Sequence, residues 1–574
     1  MVLFREFFVL RQTRAYLACA SALIGVAVLV SLLAWTGVVK ISVGEPPADE
    51  RRVTFLTIND VYRLDGVNEA KSGGLTRLRT LRTWIERDAP GAILLHAGDF
   101  LSPSLIGKVF KGAQMVDVMN NLDGDEQAFD ARMFVTFGNH EFDDSRCTNA
   151  AAPLDKRVSD SQFTWLAANL DFSNCASMRD VPNKPNVKDA VVVESGGVKV
   201  GLFGIGLTPD KLGAPRYPVF SEALPAARKS VAALRERGAE LIVAVTHLSR
   251  EEDEVLLREL APAGLDLLVG GHDHESMVLM DGDKKPRGFK ADSDARTAWR
   301  IDAVLAAGQR PRIDAQLITI NESIPADEPM VKLAAHWAAL ADQEICSKRT
   351  DPQGQPARPL CLEEQIGRTQ GTIELEENAN RSQETGFGDW LADAVRTETG
   401  ADVVIVNSGI LGLNENMLPG SKLYLRHVVD MIRFDDVLAV RSFPAKQVCA
   451  ALAHGLVQPG TGAWPHLSGV TANVTRKQEK HEAAQVTAFT GKPGVNCSSN
   501  APVTVAAPPF ILCGGDNYPL LKPSEGCVPE LQKAPYPAGA PRQPRRLSEI
   551  TESAIRAAGA DGIKPEKDGR LRFQ

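Results

Sequence analysis

"MFVTFGNHEFD", residues 133–143, begins as a run of apolar and β-branched residues and ends in a polar cluster. Met133 to Phe137 read as a buried strand. Gly138 lets the backbone turn sharply, and Asn139 and His140 follow at the strand's end. Four further segments share this build: "TFLTIND" ending at Asp60, "LLHAGDF" with Asp99, "IVAVTHL" with His247, and "LLVGGHDH" with His272 and His274. Taken singly each has a bland reading, for a "GDF" is usually a turn and one histidine is usually a hydrogen-bonded core residue. Together, each behind a strand and several beside a glycine (98, 138, 270, 271), they read as one metal site. Carboxylate, amide and imidazole suit borderline ions such as Zn, Mn, Fe or Co. Loops at strand ends are where α/β folds place such sites.

Working outward, "VKVGLFGI" adds another buried strand, and "LTRLRTLRTWIER" (75–87) puts Leu75, Leu78, Leu81 and Ile85 on one helical face. Strands interleaved with helices predict an α/β layered domain over residues 50–321. Within it, 146–190 reads as an excursion from the core. Residues 322–364 read as an amphipathic helix followed by the Pro/Gly-rich linker "DPQGQPARP". A second α/β unit is expected over 365–540, with a polar insertion around 474–500, and then a tail, 541–574, carrying one short helix. The basic knot "PRQPRRL" (541–547) reads as a solvated linker. A chain of 574 residues exceeds one core. Its net charge of −8 argues against nucleic acid as a partner.

At the N-terminus, Arg5, Arg11 and Arg14 precede the uncharged stretch 15–39. This matches the roughly 20 apolar residues of a membrane span and predicts a cytoplasmic stub and anchor over 1–40, with the later domains on the periplasmic or extracellular side. A cleaved signal peptide, leaving a secreted or periplasmic protein, is the alternative. Of nine cysteines one, Cys19, lies in that stretch. The remaining eight, none spaced as Cys-x-x-Cys, indicate disulfides in an exported domain. Proximity in sequence offers Cys346 with Cys361 and Cys497 with Cys527.

The order D…GD…GNHE…H…GHxH resembles the calcineurin-like metallophosphoesterases. With the second unit, residues 50–540 resemble the 5′-nucleotidase / UDP-sugar hydrolase family. That resemblance implies a four-layer α/β/β/α catalytic domain followed by a smaller α/β substrate-binding domain. It implies two metal ions: one on Asp60, Asp99 and His274, the other on Asp99, Asn139, His247 and His272. It also implies a His140–Asp143 pair that stabilises the phosphoryl transition state. Where the family has a histidine ligand two residues beyond Asp60, this chain has Tyr62, whose phenol oxygen can replace it. "PPFILCGGDNY" (508–518) resembles the nucleoside-binding segment, with Phe510 stacking on the base and Asp516 holding the ribose; Phe434 of "MIRFDDVL" is the second ring. In "NSGILG", Asn407 and Gly409 match a glycine-rich substrate loop, but Gly412 stands where a phosphate-gripping arginine is usual. Arg381, Arg426 or Arg433 can compensate. The function implied is hydrolysis of nucleoside 5′-monophosphates or related nucleotides. The rivals are a 2′,3′-cyclic nucleotide phosphodiesterase / 3′-nucleotidase, a thiosulfohydrolase-like relative, and a non-catalytic binding protein on the same fold.

Overall fold

The computed structural model describes residues 50–574 apart from 146, 148–151, 208–217, 350–358, 414, 478–479, 523, 525 and 537–542. The expected anchor (15–39) and most of the "DPQGQPARP" linker lie outside the described residues.

Two sheets face each other in the first domain. One has seven strands, in the order Arg312–Thr319, Thr297–Leu305, Arg51–Ile58, Ile93–His96, Met133–Thr136, Thr164–Leu166 and Val187–Lys188. The other has six: Met277–Met280, Pro286–Lys290, Leu267–Gly270, Leu241–Thr246, Val198–Ile205 and Ala190–Ser195. Phe55, Leu95 and Phe134 from the first sheet pack against Val200, Val243 and Val269 from the second, giving an apolar inner layer. Each such fully buried side chain contributes roughly 1.5–3 kcal/mol. Outside the first sheet, helices Leu75–Asp88, Ala113–Asn120 and Glu328–Cys346 cover a second core. Ala223–Glu236 and Arg250–Leu260 cover the other sheet. The layering is α/β/β/α, as the motif order implies.

Three sequence expectations change here. The stretch 146–190 is not an excursion: Thr164–Leu166 is a fully buried strand of the large sheet, with Trp165 in the core. The helix Glu328–Cys346 is no free connector, since Met330 and Ala334 lie in the first domain's core. The "polar insertion" is an antiparallel hairpin, Thr471–Lys477 with Lys480–Ala488, extended by the C-terminal strand Leu571–Phe573.

The second domain is built on a four-stranded sheet in the order Ala439–Pro444, Pro502–Ala507, Val403–Asn407, Pro465–Ser468. The helix Leu547–Ala557, expected in a tail, buries Leu547, Ile550 and Ile555 in this domain's core. The described part of the basic knot, 543–547, is partly exposed but tied down. Arg545 pairs with Glu398 at 3.1 Å, and Arg546 donates to the carbonyl of Asp435 at 2.5 Å. The two domains touch: Arg63 pairs with Asp430 at 2.5 Å, and Lys108 donates to the carbonyl of Val429 at 2.6 Å. Four disulfides join the described cysteines: Cys147–Cys175, Cys346–Cys361, Cys449–Cys497 and Cys513–Cys527. Cys346–Cys361 agrees with the proximity reading, whereas Cys497 and Cys527 take other partners. Such bonds persist in oxidising compartments.

Candidate active site

Every candidate ligand of the first domain sits just beyond the C-terminal end of a central strand, in loops of both sheets. Their backbones are unusual. Asp60, Asp99, His272 and His274 all have positive φ (53°, 60°, 82° and 62°), a conformation that non-glycine residues rarely adopt and that clusters at functional sites. The glycines explain how the loops close up. A Cβ on Gly138 would lie 2.1 Å from Asp99 Oδ1, and one on Gly271 would lie 2.9 Å from Asp60 Oδ2.

The side chains converge. His247 Nε2 lies 3.2 Å from Asp99 Oδ2 and 3.1 Å from Asn139 Oδ1, while its Nδ1 faces the carbonyl of Ala97 at 2.7 Å. His274 Nε2 lies 3.2 Å from Asp60 Oδ1. The His272 amide donates to Asp60 Oδ2 at 2.9 Å, and its ring stands edge-on to that of His247, with centroids 5.2 Å apart. Tyr62 points inward: its hydroxyl is 3.3 Å from Asp60 Oδ1, 3.3 Å from Asp99 Oδ2 and 3.0 Å from His274 Nε2. His140 Nδ1 meets Asp143 Oδ2 at 2.9 Å and turns Nε2 toward Asp99, 4.0 Å away.

Two supporting residues escaped the sequence reading. Glu141 accepts from the amides of Gly138 (2.6 Å), Asp99 (3.0 Å), Phe100 (2.8 Å) and Leu101 (3.3 Å), so one buried carboxylate ties two ligand loops together. Lys290 ties two others. Its ammonium donates to the carbonyls of Leu248 (2.8 Å) and Gly271 (3.0 Å) and pairs with Asp253 (2.8 Å) and Asp273 (2.5 Å). Glu141 stood in the quoted "GNHE"; nothing local marks Lys290, whose partners are distant in sequence.

Asp60, Asp99 and His247 bring ligand atoms within 4.8 Å of one another, all buried. Two buried carboxylates at this spacing demand nearby positive charge. Burial alone would raise Asp99, but His247 and His140 overrule it and hold it well below the usual carboxylate range. Burial alone would lower His247, yet Asp99 and Asp60 lift it to about 9. His272 is pushed down to about 4 by burial and by the neighbouring charge of His247. Burial, then Asp99 and Asp60, push the Tyr62 phenol well up. His140 is raised, with Asp143 and Asp99 outweighing burial. The donor set of carboxylates, amide, imidazoles and phenol fits divalent metal ions, whose charge would relieve the carboxylates.

From the second domain, Glu377 contacts His274 Nδ1 and pairs with Arg381; Arg433 Nη2 lies 3.8 Å from the same carboxylate. Arg433 also fills the space beside Gly412, where a Cβ would lie 1.8 Å from its Nε. Gly412 thus leaves room for the Arg433 guanidinium. Arg426 is engaged elsewhere, with Glu363 and over the Tyr424 ring at 4.4 Å. Asn407 Nδ2 and the Gly409 amide both donate to the carbonyl of Gly462, at 3.1 and 2.9 Å, so their polar groups shape the loop. Phe510 lies across Gly515, Asp516 has positive φ (50°) beside it, and Phe434 is 46% exposed.

Residues 53–276 match the calcineurin-like phosphoesterase model, which makes the first domain a calcineurin-like metallophosphoesterase domain. Residues 365–523 match the 5′-nucleotidase C-terminal domain. With both domains present, the chain belongs to the 5′-nucleotidase / UDP-sugar hydrolase family of metal-dependent phosphoester hydrolases. It is 26% identical over 513 residues to a trifunctional nucleotide phosphoesterase protein of Bacillus subtilis; the match covers 83% of this chain but 33% of that longer protein. It is 22% identical to a 5′-nucleotidase of Vibrio cholerae, covering 83% and 87% of the two chains. In fold it resembles a 5′-nucleotidase precursor of Thermus thermophilus (TM-score 0.69, 20% identity, 91% and 99% covered). It also resembles a sulfate thiohydrolase of the same organism (TM-score 0.63, 14% identity, 92% of this chain and 98% of that one).

Proposed function

We propose that this chain releases phosphate from nucleoside 5′-monophosphates or related nucleotides, outside the cytoplasm and anchored through residues 15–39. The observation that carries the reading is that Arg381 and Arg433, from the nucleotidase-type domain, meet at Glu377, whose carboxylate contacts His274 of the phosphoesterase domain's carboxylate–imidazole cluster. Asp60, Asp99, His274 and Tyr62 would hold one metal; Asp99, Asn139, His247 and His272 would hold the other, each Mn, Zn, Fe or Co. Bound there, such ions lower the pKa of a water and polarise the phosphoryl oxygens.

The chain's own groups do the rest. Asp99 can serve both ions because a carboxylate offers two oxygens. His140, whose charged form Asp143 and Asp99 favour, can direct positive charge to where the phosphoryl group gains negative charge. Arg381 and Arg433 orient the phosphate. Phe510 and Phe434 offer flat apolar faces to a base, and Asp516 an acceptor for ribose hydroxyls.

The test is a panel of nucleoside 5′-monophosphates, 2′,3′-cyclic nucleotides, 3′-monophosphates and thiosulfate esters, assayed with Mn, Zn, Co and Fe separately. The 5′-monophosphates should be turned over fastest. Preference for the cyclic substrates or the thiosulfate esters would overturn the assignment, and no turnover with any metal would make the chain a binding protein.

A further inference from the structure

An imidazole presents one nitrogen to a metal in a fixed direction only if the other nitrogen is held. His247 meets this need inside its own domain, through Nδ1 and the carbonyl of Ala97 at 2.7 Å. His274 does not. Its Nε2 faces Asp60 and Tyr62, while its Nδ1 is taken by Glu377, which opens the helix Glu377–Ser382 of the other domain. The neighbouring Asn378 docks the same helix turn by donating to Glu275 Oε1 at 2.8 Å. Glu377 also pairs with Arg381 and approaches Arg433. His274 and Glu377 are both largely buried, with side chains 7% and 14% exposed, so water competes poorly for the contact.

From this geometry we infer that Glu377 is a positioning residue, through which the C-terminal domain fixes the ring of His274 and sets the affinity of the Asp60–His274 half of the metal site. The same carboxylate anchors the guanidiniums, so the two halves of the active centre are joined at one side chain. The inference rests on the metal assignment proposed above. It adds that half of this site is incomplete without the second domain.

Equilibrium dialysis of Mn(II) alone against the metal-stripped full chain tests it. Wild type should bind two ions. Glu377→Ala should weaken one of them by about 10–100-fold, the usual cost of losing such an outer partner, and leave the other unchanged. Glu377→Gln, of equal size and still able to accept from Nδ1–H, should fall between. Circular dichroism and Tm establish that both variants are folded. Asn378→Ala, which loses the docking contact but leaves His274 held, should bind both ions as wild type does. Two unchanged dissociation constants in Glu377→Ala would overturn the inference, as would an equal loss in Asn378→Ala. If wild type itself fails to bind two ions, the metal assignment fails first.

Discussion

Tyr62→Phe separates two roles for the phenol by the sign of its effect. The Tyr62 hydroxyl lies within 3.0–3.3 Å of His274, Asp60 and Asp99, and the residue is only 6% exposed. The hydroxyl donates one proton and can also accept from His274 Nε2, so removing it costs a protein without bound metal at least one hydrogen bond to a charged group, about 1.5–3 kcal/mol. If Tyr62 left the site when metal entered, that loss would fall on the metal-free form alone, and Tyr62→Phe would bind metal roughly 10–100-fold more tightly. If Tyr62 is a ligand, the bound form loses an oxygen donor and binding weakens instead. We expect weakening, with loss of a visible charge-transfer band in protein loaded with ferric iron, since phenolate is a hard anionic ligand that favours such ions. Mn(II) dialysis and absorbance spectra of the two proteins decide it. An unchanged or tighter Kd, with no band in wild type to lose, would refute the ligand role.

Further outcomes follow from the same geometry. His140→Ala should lower kcat about 10²–10³-fold, the cost of one preorganised donor, while metal content by mass spectrometry stays at the wild-type level. Phe510→Ala should raise KM for nucleotides by the equivalent of about 1–3 kcal/mol of stacking and leave hydrolysis of a small aryl phosphate unchanged; equal damage to both would make Phe510 a core residue. Lys290→Met should destabilise the fold by about 3–5 kcal/mol in denaturant titration, because it strands the buried Asp253 beside an unpaired Asp273.

The sequence disclosed most where local pattern and tertiary role coincide. A long apolar strand ending in Gly and a metal-competent residue is visible in one dimension, so the candidate ligands Asp60, Asp99, His247 and His274 are legible together with the layers that carry them. Glu141 lay in view but unread, since a glutamate in a loop gives no sign that four amides will point at it. Lys290 and Glu377 could not be read at all. Their partners are brought to them by sheet order and by the docking of one domain on the other. The three-residue strand Thr164–Leu166 is too short for its period to register. The hairpin 471–488 keeps many residues in solvent and so reads as polar insertion. Disulfide pairing failed where spacing was the only guide: Cys497 pairs with Cys449, 48 residues away in sequence.

The account stands most directly on one titration: phosphate release from a nucleoside 5′-monophosphate by metal-stripped full-length protein, as Mn(II) is added. It predicts no release without metal, a rise that saturates at two equivalents, and in Asp99→Ala neither tight binding nor activity, because that carboxylate serves both ions. Release that ignores added metal, saturation at a single equivalent, or an Asp99→Ala protein that keeps one tightly bound ion and its rate would contradict it.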